Sequence, residues 1–201
     1  MAKAVKTPIT GVNVPPLQVQ MVEITLIGDS ALICHAWSAK AKKRMLAKQT
    51  GAAKEARERK NPHNDFLESL YQHPDGGYGF PTVAFKSAAV DACSHVEGVT
   101  KVVARGAFHI DGELLRIISP DPTMREDMVR VGMGTADIRY RGQFNPWSVT
   151  MNIRVNTGVL TVAQLIQLFD TAGFAIGVGE WRPQRDGQFG LFHVARAGDA
   201  S

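Results

Sequence analysis

Between Trp147 and Val155 the chain alternates strictly, with Trp147, Val149, Met151, Ile153 and Val155 separated by Ser148, Thr150, Asn152 and Arg154. A period of two puts the five apolar side chains on one face of a strand. The segment therefore needs a sheet with one buried face and one face open to water. Thr161 and Gln164 then form a capping-box pattern, and Val162, Leu165, Leu168 and Phe169 recur at helical spacing. This predicts a helix over 161–172, with Gly173 as its C-terminal glycine. A half-buried strand followed by an amphipathic helix points to a layered α+β domain.

The remaining elements fit that plan. Val19, Met21, Val22, Ile24 and Leu26 read as a strand with a bulge at Met21-Val22, ended by Gly28-Asp29-Ser30 and followed by the apolar run Ala31–Cys34. Pro81 opens a helix whose apolar face is Phe85, Ala88, Ala89, Ala92 and Val96, with Gly98 at its end. Val102 to Ile110 reads as a strand that turns at Asp111-Gly112 into Leu114–Ile118, the clearest hairpin of the chain. Residues 119–136, with Pro120, Pro122, Gly132 and Gly134, are expected to be an irregular insertion, and Phe189 to Val194 a last strand. Stripped of insertions, the order is βαββαβ. That is a ferredoxin-like or RRM-like core in which one antiparallel sheet carries both helices on one face, here as a single domain over 1–201.

The composition, 44% hydrophobic and 21% charged over 201 residues, suits one globular domain. No apolar run reaches the length of a membrane span, and Met1–Lys6 lacks the core of a secretory signal, so a cytoplasmic protein with no membrane partner is expected. Cys34 and Cys93 are read as buried and reduced. The pairs Cys34-His35 and Cys93…His95 lack chelating spacing, and no metal or cofactor is expected. The net charge of +4 is unevenly spread. Residues 40–60 hold nine Lys and Arg, among them Lys40, Lys42, Lys43, Arg44 and Lys48, against Glu55 and Glu58, so the rest of the chain is acidic. This block lies in residues 38–79, expected to project from the core as a partly helical basic insertion. Such a block is either a solvated face or a contact for a polyanion.

Gly177 and Gly179, then Gly187 and Gly190, bracket Trp181, Arg182, Arg185 and Phe189 between a helix and a strand. A dinucleotide fingerprint needs its glycines between a strand and a following helix, so that reading fails. Two readings stay open: a plain glycine hairpin, or a turn whose arginines meet phosphates and whose aromatics stack on bases. Arg139 and Arg141 alternate about Tyr140 and so share one strand face, set either to follow a phosphate chain or to pair with nearby carboxylates.

The glycine loop before the final strand resembles the C-terminal loop of the RAMP superfamily, the RNA-binding proteins of CRISPR systems. Pro81-Thr82-Val83-Ala84-Phe85-Lys86-Ser87 is similar to the segment that opens the first helix in the guide-RNA-binding backbone subunits of that superfamily. Ala84-Phe85 stand where those relatives carry a serine, and the glycine loop is lengthened by Trp181–Asp186. The resemblance implies that the loop and the start of this helix, with Lys86, lie near an RNA backbone and that the basic insertion contacts neighbouring subunits.

The resulting expectation is a non-enzymatic protein that binds single-stranded RNA, or single-stranded DNA, through its backbone. Lys40, Lys42, Lys43, Arg44 and Lys48 would attract the strand. Lys86, Arg139, Arg141, Arg182 and Arg185 would hold phosphates, and Trp181 and Phe189 would stack bases. Open sheet edges invite a homo-oligomer or filament. Two other classes remain: a metal-independent endoribonuclease of RAMP type using His35, His109 or His193, with Asp29 in play, and a viral assembly or anti-defence interaction protein.

Overall fold

The computed structural model describes residues 16–51, 59–132 and 134–199. The lead-in through Pro15 and, in the basic block, Lys54, Glu55, Arg57 and Glu58 lie outside the described residues. In chain order the elements are β1 (Val19–Gly28), β2 (Leu32–Cys34), α1 (Ala39–Thr50), α2 (Pro62–Glu68), β3 (Tyr71–Gln72), β4 (Tyr78–Pro81), α3 (Thr82–Ala92), α4 (Lys101–Ala107), β5 (Phe108–Ile110), β6 (Leu114–Ile118), β7 (Thr123–Val131), β8 (Thr135–Phe144), β9 (Ser148–Asn156), α5 (Val162–Ala175) and β10 (Phe192–Val194).

The alternating segment becomes β9, at the centre of the larger sheet, whose order is β10-β1-β9-β6-β4-β3 with β5 also paired to β9. Every pairing in it is antiparallel. Val149, Met151, Ile153 and Val155 are buried, and so are Ile24 and Leu26 opposite them on β1. The other face carries Glu23, Thr150, Asn152 and Arg154 and is open to water. Helices α3 and α5 pack on each other and on the buried face, where Phe85 meets Phe192 and Phe108 meets Phe169 edge-on. Trp147 is 2% exposed, and its indole N–H is satisfied by the Ser30 carbonyl at 2.7 Å. The result is a mixed α/β molecule with antiparallel sheets and five α-helices among the described residues. None of these helices is long and apolar enough to cross a membrane. Cys34 and Cys93 are free and buried.

The structure corrects several expectations. The β1–β9 register runs unbroken from Val19↔Asn156 to Ile27↔Ser148, so there is no bulge at Met21-Val22; Met21 simply lies on the open face, 55% exposed. Residues 101–107 are helical rather than extended, because the Thr100 hydroxyl caps the Val103 N–H and Ala104 and Ala107 turn to the core. Consequently β5 and β6 form no hairpin with each other. Both line the same edge of β9, interrupted at Asp111–Glu113. The irregular insertion at 119–136 is replaced by β7 and the start of β8, a long hairpin that joins β2 in a second sheet, β2-β8-β7. The projecting insertion shrinks as well: α1 buries no residue, but Phe66 and Leu70 sit in the core and β3 and β4 join the large sheet.

Helix α5 has both halves of the capping box at Thr161 and Gln164. It runs on to Ala175, past Gly173, which is interior and buried. A Cβ there would fall 1.7 Å from the Phe192 carbonyl oxygen, so this glycine serves close packing of α5 on β10 rather than helix termination. Helix α3 ends at Ala92, before Gly98, and β10 is confined to 192–194 because the chain before it belongs to the glycine loop.

Candidate nucleic-acid interface

After β2 the chain leaves the core at His35, and Ser38 caps α1 through the Ala41 N–H at 3.1 Å. The link is tied down by the Ala36 N–H on the Ser69 carbonyl. Between this link, α1, α2 and β8 opens a cleft of about 460 Å³ lined by Lys40, Arg44, Lys60 and Arg139 as well as Asp65, Glu68 and Asp137. Lys40 and Arg44 are four residues apart and share one helix face, which Lys48 continues. Trp37, 57% exposed, stands at the mouth with the Lys42 ammonium 5.7 Å from its ring centroid.

A second cleft, of about 300 Å³, lies between the first turns of α3 (Val83, Ala84, Ser87) and the loop Gly177–Glu180 with Arg182 and Gln184. His35 lines both clefts. The two segments on which the RAMP resemblance rests therefore face each other across one cavity.

The glycines of the loop serve the protein's own backbone. Gly190, at φ +66°, donates to the Ala31 carbonyl and accepts from the Val178 N–H, and a Cβ on it would lie 1.7 Å from the Val178 oxygen. Gly179, at φ +79°, passes so close to Ile33 that a Cβ would meet its carbonyl at 2.6 Å. Gly187 is pressed against the Trp181 backbone, and Gly177 follows the end of α5.

Several expected ligand groups are occupied by internal partners. Arg141 is 5% exposed and bridges Asp127 at 3.1 Å and Glu180 at 3.3 Å, with His35 Nδ1 at 3.4 Å. Arg125 completes the lattice, holding Asp127 at 2.7 Å while its guanidinium lies 4.5 Å over the Phe189 ring. Arg141 as a phosphate contact is thus corrected to a buried strut. One face of Phe189 is covered by that cation, whereas Trp181 stays 38% exposed. Burial pushes the Asp127 carboxyl up, but hydrogen bonds from Arg125 and Arg141 and the charge of Arg125 outweigh it and leave it below its ordinary value. Glu180 is also held down, first by its hydrogen bond from His35, against burial, and with help from the charges of Arg141, His35 and Arg182. Arg182 staples the loop, donating to the Gly179 carbonyl at 2.9 Å and to Gln184 at 3.2 Å.

Arg139 pairs with Asp137 at 2.9 Å, which also receives Lys60 at 2.5 Å; the Lys60 hydrogen bond is the largest cause lowering the Asp137 carboxyl. Lys86 lies 3.2 Å from His109 Nδ1 and lines neither cleft, nor does Arg185 on its exposed 3-10 turn. Lys42, Lys43 and Lys48 are exposed on α1 outside the cleft wall. Sequence reasoning missed Trp37 and Tyr140 and had Lys60 only as one charge of the basic block. An aromatic placed between an apolar strand and the N-cap of a basic helix was the available signal for Trp37.

His109 and His193 do not converge. His109 pairs with Arg154 of β9, while His193 pairs with Ile27, which itself faces Ser148 six residues along β9. At about 3.3 Å per residue the two are roughly 20 Å apart along the strands alone. His193 is flanked by Asp29 at 2.6 Å and Asp199 at 3.4 Å. Among the described residues no group of His, Cys, Asp and Glu is placed to hold a metal ion. No protein-family model and no curated protein sequence matches the chain.

Proposed function

We propose that this protein binds single-stranded nucleic acid, RNA in preference to DNA, along the track formed by the two clefts that meet at His35. The observation that carries this reading is that His35 lines both clefts, so the cleft holding Lys40, Arg44, Lys60 and Arg139 adjoins the one between the glycine loop and the opening turns of α3. The strand order β10-β1-β9-β5/β6, all antiparallel and with α3 and α5 on one face, supports a ferredoxin-like core and is consistent with a RAMP-like relative. The open face of the large sheet carries no aromatic on β1 or β9, so stacking on the sheet, the mode of RNA-binding RRM domains, is not part of the reading. Trp37 takes the stacking role instead.

Three carboxylates share the first cleft with its four cations, so only a few phosphates are neutralised. For about three contacts on a single strand, log K against log salt has a slope of about −2. Anisotropy of a labelled 30-mer of RNA across a salt series measures it. A flat response, or no binding at low salt, overturns the proposal. Trp37→Ala is expected to weaken binding about tenfold, since one stacked base contributes about 1–3 kcal/mol.

A further inference from the structure

Strand β8 takes β2 on one side and β7 on the other, and among the described residues no strand pairs with the far edge of β7. Along these nine residues the alternate N–H and C=O groups that point away from β8 are a template for another strand. Its face is unusual for a protected edge: Met128 is 64% exposed and Ile138, directly across on β8, 42%. Glu126 and Arg130, both exposed, flank Met128 two residues to either side on that same face, with opposite charges. Tyr140 lies directly across from Glu126 on β8.

We propose that two copies of this chain pair antiparallel through the outer edges of β7, about a two-fold axis at Met128. An axis perpendicular to the sheet keeps like faces together and so allows only registers centred on a residue. Centred on Met128, Glu126 faces the partner subunit's Arg130 and Arg130 faces the partner subunit's Glu126. Centring on Asp127 or Glu126 sets a carboxylate against itself, and centring on Val129 places Glu126 opposite glycine, so none of the three forms these pairs. Ile138 and Met128 of the two copies then form one continuous apolar row across four strands. Because Ile138 also lines the first cleft, the two clefts flank the joined hairpins.

The test is the mass of the full chain, freed of nucleic acid by nuclease, by light scattering after gel filtration; containing no nucleic acid, it is independent of the binding reading. The wild type is expected as a two-chain species. Glu126→Arg and Arg130→Glu should each weaken it at least about tenfold, and an equimolar mixture of the two variants, which restores both cross-strand pairs, should return to the two-chain mass. Met128→Asp, with like charges on the axis, is a second break, and circular dichroism verifies that each variant folds. A monomeric wild type, a dimer indifferent to these substitutions, or a mixture that stays monomeric overturns the proposal.

Discussion

A Cβ at position 173 has nowhere to go, because the Phe192 carbonyl oxygen is 1.7 Å from where it would stand. Gly173→Ala should therefore push α5 off β10 and cost about 1–3 kcal/mol or more, read as a lowered midpoint in urea, although alanine is the better helix former. Position 127 is the other residue on which much depends. Asp127 is 6% exposed between two arginines, and Asp127→Asn leaves Arg141 buried and under-compensated, for an expected loss of about 3 kcal/mol or more in the same measurement. Both Asp127 and Glu180 have folded-state values below those of the unfolded chain. Their contribution is complete above the ordinary carboxylate range and is lost as the pH falls through the depressed folded values, below about pH 4. Thermal melts should show the wild type losing stability more steeply there than Asp127→Asn does. Neither role was legible in the sequence: a glycine near a helix end reads as a terminator, and Asp127 falls in the stretch 119–136 that reads as irregular until the opposing backbone is in place.

At the scale of the element, legibility followed burial. Strand β9 and helix α5 were plain because each has one face in the core, and their periodicities of 2 and 3.6 record it. Thr161→Ala should remove the cap and cost about 1 kcal/mol. Strand β7 was not legible because its inward residue, Asp127, is polar and its exposed ones include Met124 and Met128, so alternation carries no hydrophobic signal. Helix α4 was misread because Val102 and Val103 favour strand by intrinsic preference, while the cap at Thr100 and the packing of Ala104 decided for helix. Helix α1, correctly read as helical, buries nothing. Its amides should exchange with deuterium nearly unprotected while those of β1 and β9 exchange only with global unfolding.

For the molecule as a whole, the chain's local patterns determined the α+β class, the β9–α5 unit, the helical basic segment and the presence of a glycine loop between the last helix and the last strand, because each is written in neighbouring residues. Which cations remain to meet a ligand was decided only in three dimensions. Arg141 and Arg139 look equivalent on one strand and both are paired, yet Arg141 is sealed beneath Glu180 and Asp127, whereas Arg139, held by Asp137, stays 38% exposed and lines a cleft with Lys40 and Arg44. The reason is physical: a charge is claimed by whichever opposite charge folding brings within a few ångströms, and the carboxylates that claim Arg141 come from β7 and the glycine loop, 14 residues upstream and 39 downstream.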